Sequence, residues 1–328
     1  QLRGVATMDL STLYFIPVTG LPEIGPGDSL AGLLVQALEE RHLALEDGDV
    51  LVVTSKIVAK NEGRVVDLST VRPGRRARAL AAVVRRDARE LEIMLANGGR
   101  FLGAVSAELA YRRLGNQLFG RTGQETEKAL KRMPTLLFFA RGGQLNTEAG
   151  IDASNVPGAE TIALLPQDPH ASARRLAAAV EARTGKKVAV IISDSEIRLI
   201  RPGSQDIGIG WWGIRPLRPD FGRADRHGLA KFGGVDHIVD ALTAAAALLM
   251  GQTDESIPVV LVRGVPAEFL QLGEEPGPAA AEVEQGSVGN REQPPAGVEQ
   301  VSLIAWGVWQ LFWSRVKWRL VLLNPFFR

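Results

Sequence analysis

Three short apolar runs constrain this chain most: Val50-Leu51-Val52-Val53, Val188-Ala189-Val190-Ile191-Ile192 and Val259-Val260-Leu261-Val262. Each is bounded by polar or turn residues and reads as a buried strand. Segments with helical spacing lie between them. Residues 29–42 place Leu30, Leu33, Leu34 and Leu38 on one face, and helices are also expected over 171–184 and the Ala-rich 238–250. Further short strands are expected near Phe15, over 136–140 and over 161–165, with a basic helix over 75–95. Helices interleaved with short buried strands predict an α/β (α+β) fold with mixed sheets. The 328 residues suffice for one large or two medium domains.

The strand ends carry the chemistry. The first run closes on Thr54-Ser55-Lys56, with Lys60 four residues beyond Lys56, and the second on Ser193-Asp194-Ser195. A separate acidic turn is Gly150-Ile151-Asp152-Ala153-Ser154-Asn155. Either acidic motif alone is a common turn or helix cap. Together, two carboxylates beside hydroxyl and amide oxygens suit Mg²⁺ or Mn²⁺, which take hard oxygen ligands. That combination points to metal-assisted phosphate chemistry.

Composition removes several classes. Thirty-eight basic residues stand against 37 acidic ones, so the net charge of +1 argues against a general nucleic-acid binder. With no cysteine there are no disulfides, thiolate metal sites or thiol nucleophiles. His42, His170, His227 and His237 show no metal-ligand spacing, and His227 and His237 are expected in solvated loops. Gly208-Ile209-Gly210-Trp211-Trp212-Gly213 matches a dinucleotide-binding spacing, but a fingerprint needs a strand before it and a helix after it. Two tryptophans crowd this turn and Pro216 soon blocks a helix, so no such site is expected. No phosphate-loop or nucleophile-elbow motif is present. No secretory signal is visible, and a cytoplasmic protein is expected.

Residues 97–133 are Gly-punctuated, helical and basic, an elaborated segment inside a domain spanning 14–270. Residues 273–300 turn to Gly, Pro, Ala and Glu, as a flexible linker does. The tail 301–328 holds Trp306, Trp309, Trp313 and Trp318, four of the six tryptophans, with Arg315, Lys317 and Arg319. Its uncharged stretch is too short to span a bilayer, so peripheral membrane contact or docking on protein is expected.

Taken in order, several blocks resemble the coenzyme F-420-0:L-glutamate ligase (gamma-glutamyl ligase) family. They are Gly20-Leu21-Pro22-Glu23-Ile24, the run from Asp49 through Ser55 to Lys60 with Glu62-Gly63-Arg64, and Ala149-Gly150-Ile151-Asp152-Ala153-Ser154-Asn155-Val156. Leu164-Leu165-Pro166-Gln167-Asp168-Pro169, Val190-Ile191-Ile192-Ser193-Asp194-Ser195, Met250-Gly251-Gln252 and the 258–264 block complete the set. The resemblance implies a two-domain fold, a homodimer, and nucleotide contacts at Leu21, Pro22, Glu23, Ile24, Ser55, Lys60 and Asn155, and at Met250, Gly251 and Gln252 in a loop over 250–257. It implies that Asp152 and Asp194 ligate one divalent ion and Ser195 and Gln252 a second, with Asp152, Asp194 and Lys60 the catalytic set. GTP would be the co-substrate, Mg²⁺ or Mn²⁺ the metal and K⁺ an accessory cation. L-glutamate would be joined to a carboxylate such as F-420-0 through an acyl phosphate.

The sequence also departs from the family pattern. Ser195-Glu196-Ile197-Arg198-Leu199-Ile200-Arg201 replaces a Thr followed by a Phe-Gly-Arg-Pro-Trp-Arg-like run, keeping two cations. Pro219-Asp220-Phe221-Gly222 replaces Asp-Tyr-Arg-Gly, Thr147-Glu148 replaces Ala-Asn, and Ala241 stands in place of a Glu. Metal and nucleotide positions survive better than the rest, which predicts retained phosphate chemistry with a changed acceptor. A folate-type poly-gamma-glutamyl ligase and a non-catalytic nucleotide-binding relative recruited by its tail are the alternatives.

Overall fold

The three apolar runs lie side by side in one sheet. The computed structural model describes residues 12–107, 124–141, 144–158, 160–197, 203–218, 220–233 and 235–273. The sheet contains β1 (Tyr14–Val18), β2 (Val50–Thr54), β8 (Ala189–Ile197), β9 (Ser204–Trp212) and β10 (Val259–Arg263), in the order β1-β10-β2-β8-β9. Only β2 and β8 are parallel; the other neighbours are antiparallel, so the sheet is mixed. Helices α1 (Leu30–Glu40) and α6 (Pro169–Thr184) cover one face and α7 (Ile238–Met250) the other. Side chains alternate between the two cores with the period of a strand. Leu51, Val53, Val190, Ile192 and Leu261 enter the first core, and Val50, Val52, Ile191, Val260 and Val262 the second. Cover on both faces is why these strands are continuously apolar rather than alternating.

Local signals set the helix ends. Ser29 caps α1 by accepting from the Gly32 N–H, so the helix is shorter than residues 29–42. Asp168 caps α6, which starts at Pro169, and left-handed Gly185 ends it. Residues 238–250 form α7 as expected, with the His237 ring accepting from the Asp240 N–H at 3.2 Å. His237 is therefore a helix cap rather than a free loop histidine. The Gly208–Gly210 region is not a turn; it is part of β9. A Cβ on Gly208 would sit 2.1 Å from Val239 Cγ1, and one on Gly210 2.4 Å from the Pro169 carbonyl carbon. These glycines let helices approach the strand closely.

The described residues divide into two units, one built from residues 12–66 and 153–273, the other from residues 67–152. A separate two-stranded sheet pairs β3 (Val65–Asp67) with β7 (Thr161–Ala163). The second unit holds α3 (Arg75–Val84), α4 (Ala88–Asn97), β4 (Arg100–Ser106), α5 (Gln124–Arg132), β5 (Thr135–Arg141) and β6 (Gln144–Thr147). Its antiparallel sheet, β4-β5-β6, shares a core with α3 and α4 that includes Leu80, Leu91, Met94, Leu137 and Phe139. The single basic helix expected over 75–95 is two helices. Arg85 turns left-handed at φ 57°, and Asp87 restarts the chain as the cap of α4. Residues 100–106 are a strand, not a helical piece, because they pair with β5. The expected linker beyond residue 273 and the Trp-rich tail lie outside the described residues. Among the described residues no helix is long and apolar enough to cross a membrane.

Candidate active site

Parallel pairing of β2 with β8 brings their C-terminal ends together, with Thr54 opposite Ser193. The next residues are Ser55 and Asp194, two of the candidates named from the sequence. Ser55, the first residue of α2 (Ser55–Asn61), donates its hydroxyl proton to Asp194 Oδ1 at 2.7 Å. Ser195 follows Asp194 within the strand, so its side chain leaves the opposite face. There Ser195 Oγ lies 2.5 Å from Asp206 Oδ1, 2.9 Å from Gln252 Nε2 and 3.1 Å from Gln252 Oε1, and that Nε2 is 3.1 Å from Asp206 Oδ1. Ser195 and Gln252 are exposed, whereas Asp206 beneath them is buried, at 5% exposure.

Helix α2 presents two lysines. Lys56 Nζ donates to Ser154 Oγ at 2.9 Å. Lys60 is buried, and its Nζ pairs with Glu23 Oε1 at 2.5 Å, while the Glu23 side chain is largely exposed. Of the neighbouring 21–24 strip, Ile24 is buried in the first core, Leu21 packs half-buried against it, and Pro22 is exposed.

Asn155 sits in the left-handed region at φ 50°, which Asn tolerates better than most residues. Its Nδ2 donates to the Thr253 carbonyl at 2.8 Å, tying the Asp-Ala-Ser-Asn segment to the loop after α7. That loop needs glycine at 251, where φ is 69° and a Cβ would fall 2.0 Å from Glu255 Cδ. The Thr253 N–H donates to Glu255 at 2.8 Å, and this bond first, with other backbone bonds, holds the Glu255 carboxyl below the usual range. Met250 points into the second core, so the exposed part of this segment is Gln252 onward.

Asp152 is the last residue of the other unit. It follows three successive left-handed residues, Glu148, Ala149 and Gly150, at φ 54°, 57° and 69°. Glu148 holds this turn: it accepts from the Leu137 N–H at 2.9 Å and pairs with Arg86 at 2.8 Å. Burial keeps the Glu148 carboxyl above its ordinary range against the opposing pull of Arg86. Among the described residues, no three His, Asp or Glu side chains converge as a ready metal cage. The site is instead built of a carboxylate with a hydroxyl on each face of one strand end.

Sequence comparison decides the family. The sequence model described as F420-0:Gamma-glutamyl ligase matches residues 20–264. This chain belongs to that family. It is 37% identical over 248 residues to the coenzyme F420:L-glutamate ligase of Natronomonas pharaonis, covering 76% of this chain and 85% of that protein. The ligase of the same name from Archaeoglobus fulgidus is 35% identical over 249 residues, 76% of this chain and 86% of its own length. That from Methanothermobacter thermautotrophicus is 32% identical over 259 residues, 79% of this chain and 92% of its own length.

Set beside the gamma-glutamyl ligase pattern, the departures fall on distinct elements. Ser195, in place of Thr, keeps a hydroxyl, and Glu196 and Ile197 continue β8 opposite Gln205 and Ser204. Arg198 and Arg201 lie outside the described residues. Asp240, which is kept, accepts from the Gly208 N–H at 3.0 Å and so fastens α7 to β9. Asp206 was not singled out in the sequence, and Glu148 only as part of the Thr147-Glu148 departure. No spacing rule places Asp206 opposite Ser195, and a glutamate in a left-handed turn has no sequence signature.

Proposed function

We propose that this protein is a GTP-dependent, divalent-metal-dependent gamma-glutamyl ligase that joins L-glutamate to a carboxylate acceptor such as coenzyme F-420-0 through an acyl phosphate. The supporting observation is the end of β8, where consecutive Asp194 and Ser195 point to opposite faces, Ser55 bonded to one and Gln252 to the other. One strand end can in this way serve two ions. Carboxylate, hydroxyl and amide oxygens, without sulfur or imidazole, fit Mg²⁺ or Mn²⁺, which keep several waters and use few carboxylates. Asp152 and Asp194 would hold one ion and Ser195 and Gln252 the second, with K⁺ as an accessory cation. Held by these residues, such ions would supply neutralisation of charge on the transferring phosphoryl group.

The remaining roles fall to the chain itself. Lys60 supplies a buried positive charge whose present partner, Glu23, is exposed and can turn to water when a phosphate oxygen takes its place. Ser55 and Asn155 orient by hydrogen bonding, and Asn155 also fixes the 251–257 loop against the nucleotide. Leu21, Pro22 and Glu23 border the same ligand. In the reaction, an acceptor carboxylate oxygen attacks the γ-phosphorus and GDP leaves. The amine of L-glutamate then attacks the acyl carbon, and phosphate departs as the amine loses a proton.

The test is phosphate release from GTP with L-glutamate, Mg²⁺ and a panel of carboxylates. Release is expected with F-420-0 and to require both acceptor and glutamate. Turnover confined to folate-type acceptors would reassign the enzyme as a poly-gamma-glutamyl ligase. Nucleotide binding without release on any acceptor would overturn the ligase. The protein is also proposed to be a cytoplasmic homodimer, the commonest closed assembly. Exposed Phe221 and Phe232, stacked edge to face at 5.5 Å, are apolar surface that a second copy would usefully cover. Light scattering at micromolar concentration is expected to give twice the 35.3 kDa chain mass, and a monomer throughout that range would overturn the dimer.

A further inference from the structure

We propose that Asp206, which belongs to none of the motifs that carry the family resemblance, is the charged positioning residue of the second cation site. This rests on the ligase reading above, in which Ser195 and Gln252 hold that ion. As described so far, that pair offers only neutral donors. The buried carboxylate directly beneath both of them changes its character.

A count of protons fixes the orientation of each group. Ser195 has one hydroxyl proton, and its approach to Asp206 Oδ1 at 2.5 Å is much shorter than that to Gln252 Oε1 at 3.1 Å, which assigns the proton to Asp206. Gln252 Nε2 has two protons and two acceptors in reach, Ser195 Oγ at 2.9 Å and Asp206 Oδ1 at 3.1 Å. All three protons are then used within the knot. What remains without a proton of its own is a lone pair on Ser195 Oγ, Gln252 Oε1, which lies 3.1 Å from Ser195 Oγ, and Asp206 Oδ2, three hard oxygens and no donor. Register explains why Asp206 is there: it is the residue of β9 directly opposite Ser195 in β8. Without it, the Ser195 proton is free to point outward and the Gln252 amide to turn its NH₂ towards the ion. Asp206 thus contributes both the negative charge and the direction of the neutral ligands, a role whose loss typically weakens metal affinity about 10- to 100-fold.

The experiment is a Mn²⁺ titration of the full chain with an equimolar non-hydrolysable GTP analogue, reading free Mn²⁺ by electron paramagnetic resonance, so that no turnover is involved. Wild type is expected to bind two ions. Asp206→Asn should weaken one class at least about tenfold and leave the other unchanged, and Asp194→Asn should do the reverse. The double variant Asp206→Asn with Gln252→Glu returns a carboxylate to the knot and is expected to regain most of the lost affinity. A merely structural role for Asp206 would give no such rescue. Both ions bound normally by Asp206→Asn, with one lost in Asp194→Asn, overturns this inference and leaves the ligase reading standing. No change in either variant overturns both. If Asp206→Asn fails to melt cooperatively, the double variant decides alone: a retained second ion supports the proposal and its absence overturns it.

Discussion

Asp194→Asn is expected to reduce metal-dependent GTP turnover by on the order of a thousandfold while leaving the melting temperature nearly unchanged. Asn has almost the same shape as Asp, and its Oδ1 still accepts from Ser55, so the bond made at 2.7 Å survives. The pairing of β8 with β2 and β9 is backbone work and does not depend on the side chain. What disappears is one negative charge where a divalent ion would sit, and phosphoryl transfer depends on that neutralisation. Lys60→Ala is expected to weaken nucleotide binding more than folding, because a charge-assisted phosphate contact goes and the exposed Glu23 is left hydrated. Calorimetric titration of Mg²⁺–GTP into wild type and both variants, with thermal unfolding alongside, separates these effects. Equal nucleotide affinity in all three proteins would sink the metal-site assignment and the ligase mechanism with it.

The fold was legible where one rule governed. Val50–Thr54, the start of Ala189–Ile197 and Val259–Arg263 read as buried strands because the sheet is covered on both faces. Helix Ile238–Met250 read cleanly because Ala244–Met250 is an unbroken apolar run of good helix formers that Gly251 ends. Strand Ser204–Trp212 did not, since its glycines serve close approach by Val239 and Pro169, partners distant in sequence. The break at Arg85 was equally hidden, because nothing in an arginine announces a left-handed turn. For the candidate site, Ser55, Lys60, Asp194, Ser195 and Asn155 stand at or near strand ends or turns, which is why the sequence offers them as candidates. Asp206 depends on strand register and the Glu148 turn on a partner in α3–α4, Arg86, and neither is a local property.

Arg86→Met should cost the second unit about 3–5 kcal/mol, the usual loss when one member of a buried ion pair is removed. Arg86 is nearly buried and bonds Glu148, Glu90 and the Thr135 carbonyl. Glu90 is more exposed and can find water, but Glu148 cannot, since its carboxyl is held inside by the Leu137 N–H. Burial already raises the Glu148 carboxyl above the ordinary range, and losing the pull of Arg86 raises it further. A folded value above the unfolded one means that folding takes up a proton. The stability tied to that proton is fully present at pH below the ordinary carboxylate range and is lost as pH rises through the raised value. The deficit of Arg86→Met relative to wild type is therefore small in acid and full at neutral pH. Adding Glu148→Gln keeps an acceptor for Leu137 and removes the stranded charge. The double variant is expected to be more stable than Arg86→Met alone at neutral pH, with a deficit of about 1–3 kcal/mol that no longer depends on pH in this way. Urea unfolding at acid and neutral pH checks both statements. A single-variant deficit that stays constant across that range would show that Glu148 is not the group left unpaired, and that the left-handed turn leading to Asp152 is held by something other than this ion pair.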